Sequence, residues 1–503
     1  MQYSEKRPLQ NAVDLSHHLS DLALSRATSP LKGLARYFGR EGIISLAGGM
    51  PNPDYFPFAN ISGDALIPDS FAKTASITVP KYPVKPTDVN LAVALQYGTA
   101  TGLPQLQKAV NEFVETTFQP AYADWKTLLV RAITTLCNPG ELFITEDWTY
   151  PSALANSKPY HINPVGVPMD EQGMRPDALR KMLAEWDDVE RGHKRPHVMY
   201  TVPIGQNPTG ISMGLERKKE IYDICVQYDI IIVEDDPYYF LQMGEYVAKS
   251  MRSSQVEFSD SKAWIASLEP SYLKIDYQGR VIRLDTFSKN IAPGARLGYF
   301  TCNPRFAERL ERAGETTTQA PCGFGQALVA QLLTTWGYDG YARWLQGLAV
   351  QYKARRDFLL DALSEEFSMR ESVGTAGSWT GCTVYTASVK PKRFEMYEKT
   401  MQQELFSIVP PSAGMFLWVR LHFENIPGFK SGDEASLEMK FWEQLAEAGV
   451  LVGPGTYFAS DADDVSPVEG HLRIAFSYAS QEEMIKAVKI YSDVIRKFFQ
   501  EAH

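Results

Sequence analysis

The sequence predicts an α/β protein: a mostly parallel central sheet sandwiched by helices, with a smaller α+β domain toward the C-terminal end. Three observations predict it. Short, wholly apolar runs alternate with helix-periodic stretches through the middle of the chain, the connections between them are short, and the pattern changes in the last third.

In order, residues 197–202 (HVMYTV) form a short apolar strand running into the turn Pro203-Ile204-Gly205-Gln206-Asn207-Pro208-Thr209-Gly210. A helix follows, with Ile221, Ile224, Cys225 and Tyr228 on one face. Residues 230–233 (IIIV) are a continuous apolar run, suited to a parallel strand buried on both faces. Residues 281–284 and 297–301 are two further strands. Residues 66–90 are polar and Pro-bearing and read as a surface excursion, and 372–404 read as an inserted loop. In the last third, 415–421, 450–452 and 472–476 read as strands between helices. The final helix carries Met484, Val488, Tyr491, Ile495 and Phe498 as one apolar stripe.

A chain of 503 residues is long for one core, so two packed domains are expected. The expected division is an arm over 1–60 that contributes to the small domain, a large domain over 61–345, and a small domain over 346–503. Fifty basic against 60 acidic residues leave a net charge of −10, which excludes a nucleic-acid binder relying on a basic face. No run approaches the roughly 18 apolar residues of a membrane span. The first residues carry acids early and no apolar h-region, so neither a secretory signal nor a transit peptide is expected. Five cysteines without a CxxC fit a reduced, cytoplasmic setting, and the eight histidines offer no zinc spacing, so no metal is expected.

Chemistry gathers at three strand ends: Asn207, then Asp235 with Tyr238, then Ser288-Lys289 with Arg296. Singly, each has an ordinary explanation as a turn, a helix cap or a solvated charge. In open α/β sheets, however, ligands sit outside the carboxyl ends of strands, and these three ends occur in succession.

Here the sequence resembles the fold-type I aminotransferases that use pyridoxal phosphate. The strings are Asn207-Pro208-Thr209-Gly210, Glu234-Asp235-Asp236-Pro237-Tyr238-Tyr239, and Thr286-Phe287-Ser288-Lys289 through Pro293-Gly294-Ala295-Arg296-Leu297-Gly298. Ser45-Leu46-Ala47-Gly48-Gly49-Met50-Pro51 and Leu472-Arg473-Ile474-Ala475-Phe476-Ser477 match as well. The detail is similar to the branch holding fungal aromatic-amino-acid and kynurenine/2-aminoadipate aminotransferases.

The resemblance implies roles. Lys289 would hold the coenzyme covalently and then move the substrate proton, which a desolvated lysine suits. Asp235 would pair with the ring nitrogen, while Tyr238 and Asn207 would bond the ring oxygen. Thr286, Ser288 and Arg296 would hold the phosphate. Tyr150 would stack on the ring, and Tyr97 would reach a neighbouring subunit's site, implying a homodimer. Arg473 would clamp the substrate carboxylate with a planar fork, and Arg26 would approach the substrate side chain. Gly48 and Gly49 would let the backbone pass close to the substrate.

One departure stands out. The family has a strand, a small-residue turn and a helix before a Cys-Asn-Pro-Gly-like string, and the turn supplies backbone donors to the phosphate. Here only residues 126–136 separate Trp125 from Cys137, too few for a strand, a turn and a three-turn helix. The phosphate turn is expected to be missing. The implied reaction is transamination of aromatic amino acids, with 2-aminoadipate or kynurenine as further donors, toward 2-oxoglutarate. The alternatives are a form with impaired coenzyme binding, and a lyase using the same Lys289 and Asp235.

Overall fold

Buried apolar runs become the strands of the centre. The computed structural model describes residues 9–26, 51–96, 98, 101–128, 133–252, 260–317, 319–375, 377–390, 403–460 and 469–501. Asn60–Leu66 (β1) and Thr74–Pro80 (β2) pair as an antiparallel hairpin. Lys126–Leu128 (β3), Leu142–Glu146 (β4) and Asn163–Val167 (β5) follow, then the small ribbon Met169–Asp170 (β6) with Gly173–Met174 (β7). Val198–Thr201 (β8), Ile231–Asp235 (β9), Val281–Thr286 (β10) and Gly298–Cys302 (β11) complete a seven-stranded, mostly parallel sheet of order β3-β11-β10-β9-β8-β4-β5. β9 shows why the run at 230–233 reads so clearly: Ile231, Ile232 and Val233 are fully buried, as a strand covered on both faces requires.

The described chain falls into two compact units. One comprises 1–141, 225–237 and 258–347; the other comprises 142–224, 238–257 and 348–503. The second holds the C-terminal sheet: Phe367–Val373 (β12), Thr383–Val389 (β13), Glu404–Ile408 (β14), Phe416–Leu421 (β15), Gly453–Pro454 (β16) and Gly470–Ala475 (β17). Its order is β12-β13-β14-β15-β17-β16, antiparallel throughout. The helix Gln481–Glu501 lays Met484, Val488, Tyr491, Ile495 and Phe498 into the core beneath it, the stripe expected from its spacing.

Three expectations are corrected. The excursion at 66–90 contains β2, whose residues are mostly exposed, so no alternation marks it; backbone pairing with β1 makes the strand. The loop expected at 372–404 contains the end of β12 and all of β13, which pair across seven residues of each strand; 391–402 lie outside the described residues. Residues 450–452 are loop rather than strand. They are apolar because Val450 and Val452 pack on the C-terminal core, and the Val452 carbonyl accepts the Trp442 indole N–H at 2.7 Å.

Two backbone segments approach closely at the turn before Asn207. Gly205 has φ +56°, and a Cβ there would lie 2.6 Å from the Gly414 nitrogen. Gly205→Ala is therefore expected to destabilise the protein by roughly 2 kcal/mol or more, read as a lower urea midpoint at unchanged slope.

Candidate active site

In the first unit, parallel pairing of β9 with β10 sets Asp235 opposite Leu284, and Thr286 lies two residues further along, at the end of β10. The turn that follows carries Ser288 and Lys289, both half-buried, behind the buried Phe287. Thr286 Oγ1 donates to Ser288 Oγ at 2.9 Å, and accepts from the Ser288 backbone N–H at 3.1 Å. The Phe287 carbonyl accepts from Ile291 and Ala292 at 2.9 and 3.0 Å, which closes the turn around Lys289. Arg296 is exposed, has φ +50°, and donates to the Pro293 carbonyl at 3.1 Å.

Arg283, fully buried, lies on the strand beneath this turn. It donates to Asp285 at 3.0 and 2.9 Å and to Asp236 at 3.0 Å, lies 3.3 Å from Glu234, and rests 4.0 Å over the Phe118 ring. Burial alone would push its guanidinium down. The three carboxylates win and hold it well above the ordinary range. Asp285 keeps a carboxyl pushed up to about 6 by its burial, against the pull of Arg283.

In the second unit, Arg473 of β17 sits between β15 and β16, opposite Trp418 and Gly453. Its Nη1 donates to Asn207 Oδ1 at 2.7 Å. Its guanidinium carbon lies 4.1 Å from the Phe416 ring centre and 4.6 Å from that of Phe458, a double aromatic support. Burial pushes its pKa down. Among the described residues, Nε has no hydrogen-bond partner. Tyr238, buried, meets Phe416 edge-on at 5.6 Å. The turn beneath Asn207 is held by Gln206, whose Oε1 accepts from Thr209 N at 2.9 Å and Thr209 Oγ1 at 2.7 Å. The second unit thus joins three expected residues, Asn207, Tyr238 and Arg473, around Phe416. Neither Phe416 nor Phe458 could be singled out from sequence, since an aromatic on a strand ordinarily reads as core.

The other expected positions divide. Tyr150 stands at the start of the helix Pro151–Ser157 and is 38% exposed. Arg26 ends the helix Asp21–Ser25, and its carbonyl accepts from Arg309 at 3.3 Å. Tyr97, Gly48 and Gly49 lie outside the described residues. His17 and His18, expected to bind no metal, place Nε2 atoms 2.7 and 3.1 Å from the Asp229 carboxylate, which also takes Arg280 at 2.7 Å. That cluster ties the N-terminal arm to the first unit. Of the short segment 126–136, three residues form β3 and Ile133–Leu136 form a one-turn helix; 129–132 lie outside the described residues. The edge strand is kept despite the shortening, paired antiparallel with β11 from Phe300 to Cys302.

Glu146, at the end of β4, is a buried carboxyl that sequence reading missed. It is 1% exposed, and burial pushes its carboxyl up to about 7, with the Thr201 hydroxyl bond opposing. A raised carboxyl favours the protonated folded state. Its contribution to stability is therefore full below the ordinary value of 4.5 and lost as pH rises through about 7. Glu146→Gln is expected to flatten the urea midpoint across that window; an unchanged slope with pH would rule the effect out.

The comparisons agree with this architecture. The family model described as "Aminotransferase class I and II" matches residues 92–390 and 388–490. The chain belongs to the class I and II aminotransferases. Within them its likeness runs to fungal aromatic-amino-acid enzymes over nearly its full length. An aromatic amino acid aminotransferase of Schizosaccharomyces pombe is 33% identical over 97% of this chain and 98% of that one. An L-tyrosine:2-oxoglutarate aminotransferase of Tapinella panuoides is 30% identical over 98% and 97%. The crystal structure of the aminotransferase Aro8 from Candida albicans superposes with a TM-score of 0.83 at 32% identity, covering 98% of this chain and 100% of that one.

Proposed function

We propose that this chain transfers the amino group of aromatic amino acids to 2-oxoglutarate, with pyridoxal phosphate as coenzyme. The observation that carries the reading is Arg473: a half-buried guanidinium held by Asn207 and two aromatic rings, its Nε buried and lacking a partner among the described residues. A substrate carboxylate would complete that fork.

The donor set suits the coenzyme. Thr286 and Ser288 turn their hydroxyls to each other, within the stretch that also carries Lys289 and Arg296, and Asp235 ends the adjacent strand. When bound, pyridoxal phosphate supplies the electron-withdrawing ring that lets the substrate's α-hydrogen leave as a proton. Asp235 would keep the ring nitrogen protonated, and Tyr238 and Asn207 would bond the ring oxygen. Thr286, Ser288 and Arg296 would hold the phosphate, with Tyr150 stacked on the ring. Lys289 would anchor the coenzyme and carry the proton between carbons. The donor leaves as a 2-oxo acid, and 2-oxoglutarate departs as the new amino acid by the reverse steps. Arg26, with Gly48 and Gly49, belongs to the proposed substrate side; Tyr97 to a homodimer with shared sites. The division at 60 and 345, a cytoplasmic setting, and 2-aminoadipate or kynurenine as further donors are parts of the same proposal.

A second reading, a chain with a weakened hold on its coenzyme, draws on the three-residue strand and one-turn helix of 126–136. Lost charge-assisted donors cost about 1.5–3 kcal/mol each. A visible spectrum of the protein with added pyridoxal phosphate, before and after phenylalanine, separates the two. A coenzyme band that changes on adding phenylalanine supports transamination. No bound band at excess coenzyme withdraws the activity and leaves the weakened form.

A further inference from the structure

Within the first unit lies a cavity of about 260 Å³ that the proposed reaction does not use. The helix Pro104–Thr117 and the long helix that begins at Gly323 line it, together with Phe287 and Tyr299 of the sheet side. The long helix is interrupted at Gly337, whose φ of +62° breaks the helical path at the cavity wall.

The wall chemistry is selective. Phe113, Phe287, Tyr299 and Tyr341 are buried and present four aromatic rings. Gln105 also lines the space, and its buried Oε1 has no hydrogen-bond partner among the described residues. A buried acceptor without a donor is costly unless something supplies one. Lys108 and Glu112, both exposed, stand four residues apart on one helix and also line the cavity. Neither side chain has an ion pair or hydrogen bond with another described residue.

We propose that this cavity is a second binding site for a free aromatic α-amino acid. The ring would lie among the four aromatic walls, a ring hydroxyl or indole N–H would donate to Gln105 Oε1, and the zwitterionic head would meet Lys108 with its carboxylate and Glu112 with its ammonium. The volume suits this ligand: a cavity of ~150 Å³ holds benzene, and the further space takes the amino-acid head. No wall side chain is given a role in the proposed transamination, though the Phe287 backbone holds the turn that carries Lys289.

The test is equilibrium dialysis of the full chain against α-methyl-L-tyrosine, which has no α-hydrogen to lose, with and without added pyridoxal phosphate. One molecule per chain is expected to bind without coenzyme, and that binding persists when coenzyme is added. Glu112→Gln and Gln105→Leu are each expected to weaken it about tenfold. Ala109→Trp, which fills the space, is expected to abolish it. Thermal melts establish that the variants fold, and if Ala109→Trp does not, the two milder variants decide. The proposal is overturned by absence of binding to the coenzyme-free chain, or by affinity unchanged in both Glu112→Gln and Gln105→Leu. Indole binding as tightly as the amino acid would also overturn it, since the head group would then be unrecognised.

Discussion

Lys289→Ala is expected to abolish transamination, lowering kcat by at least about 10⁴-fold, while the protein still folds. The proposed role of Lys289 combines covalent anchoring with positioned proton transfer, and the second alone contributes about 10²–10⁴-fold. The fold survives because the turn is held by other groups. The Phe287 carbonyl receives two backbone N–H donors, the Phe287 N–H reaches the Leu297 carbonyl at 3.0 Å, and Thr286 caps Ser288. Lys289 itself is only half-buried, so its removal opens no large core cavity. The check is a turnover assay with phenylalanine and 2-oxoglutarate, beside a urea unfolding curve. Full activity in a folded variant would remove Lys289 from the mechanism.

The second large effect is at Arg473. Arg473→Ala is expected to raise KM for amino acid and oxo acid together, each by about 10–100-fold, because both substrates present a carboxylate to the same fork. Arg473→Lys should recover little. Phe416 and Phe458, at 4.1 and 4.6 Å, support a flat guanidinium, and Asn207 takes one of its N–H groups at 2.7 Å; a lysine ammonium has neither the plane nor the second parallel donor. Steady-state kinetics with each substrate varied in turn decide the matter. If neither KM moves, another cation receives the carboxylate.

The legible part of the fold was the part that hides from water on both sides. β9 and the beginning of β10 are continuous apolar runs because helices cover both faces, and the C-terminal helix shows its stripe because one face meets the core. β1 and β2 carried no such signal: their side chains are mostly exposed, and the strands exist through each other's backbone. β13 was obscured by the Gly- and Ser-bearing stretch before it, although its own residues, TVYTASV, are rich in strand formers. At 450–452 the apolar pattern marks packing against the core and not a strand, since a packed loop buries valines as well.

For the candidate site, local sequence determined which residue types stand at the strand ends: Asp235 closing an apolar strand, Thr286, Ser288 and Lys289 beyond the next, and Asn207 in a turn rich in Gly and Pro. Those are short-range facts, written within a few residues of each position. Only the tertiary structure decided who partners whom. Asn207 and Arg473 are 266 residues apart in the chain, and their hydrogen bond depends on β17 lying between β15 and β16. The same holds for Phe416 and Phe458 around the guanidinium, for Arg283 among three carboxylates, and for the rings gathered in the 260 Å³ cavity. Periodicity reports whether a side chain is buried; it carries no information about the distant segment that covers it, because that is set by the order in which strands and helices pack.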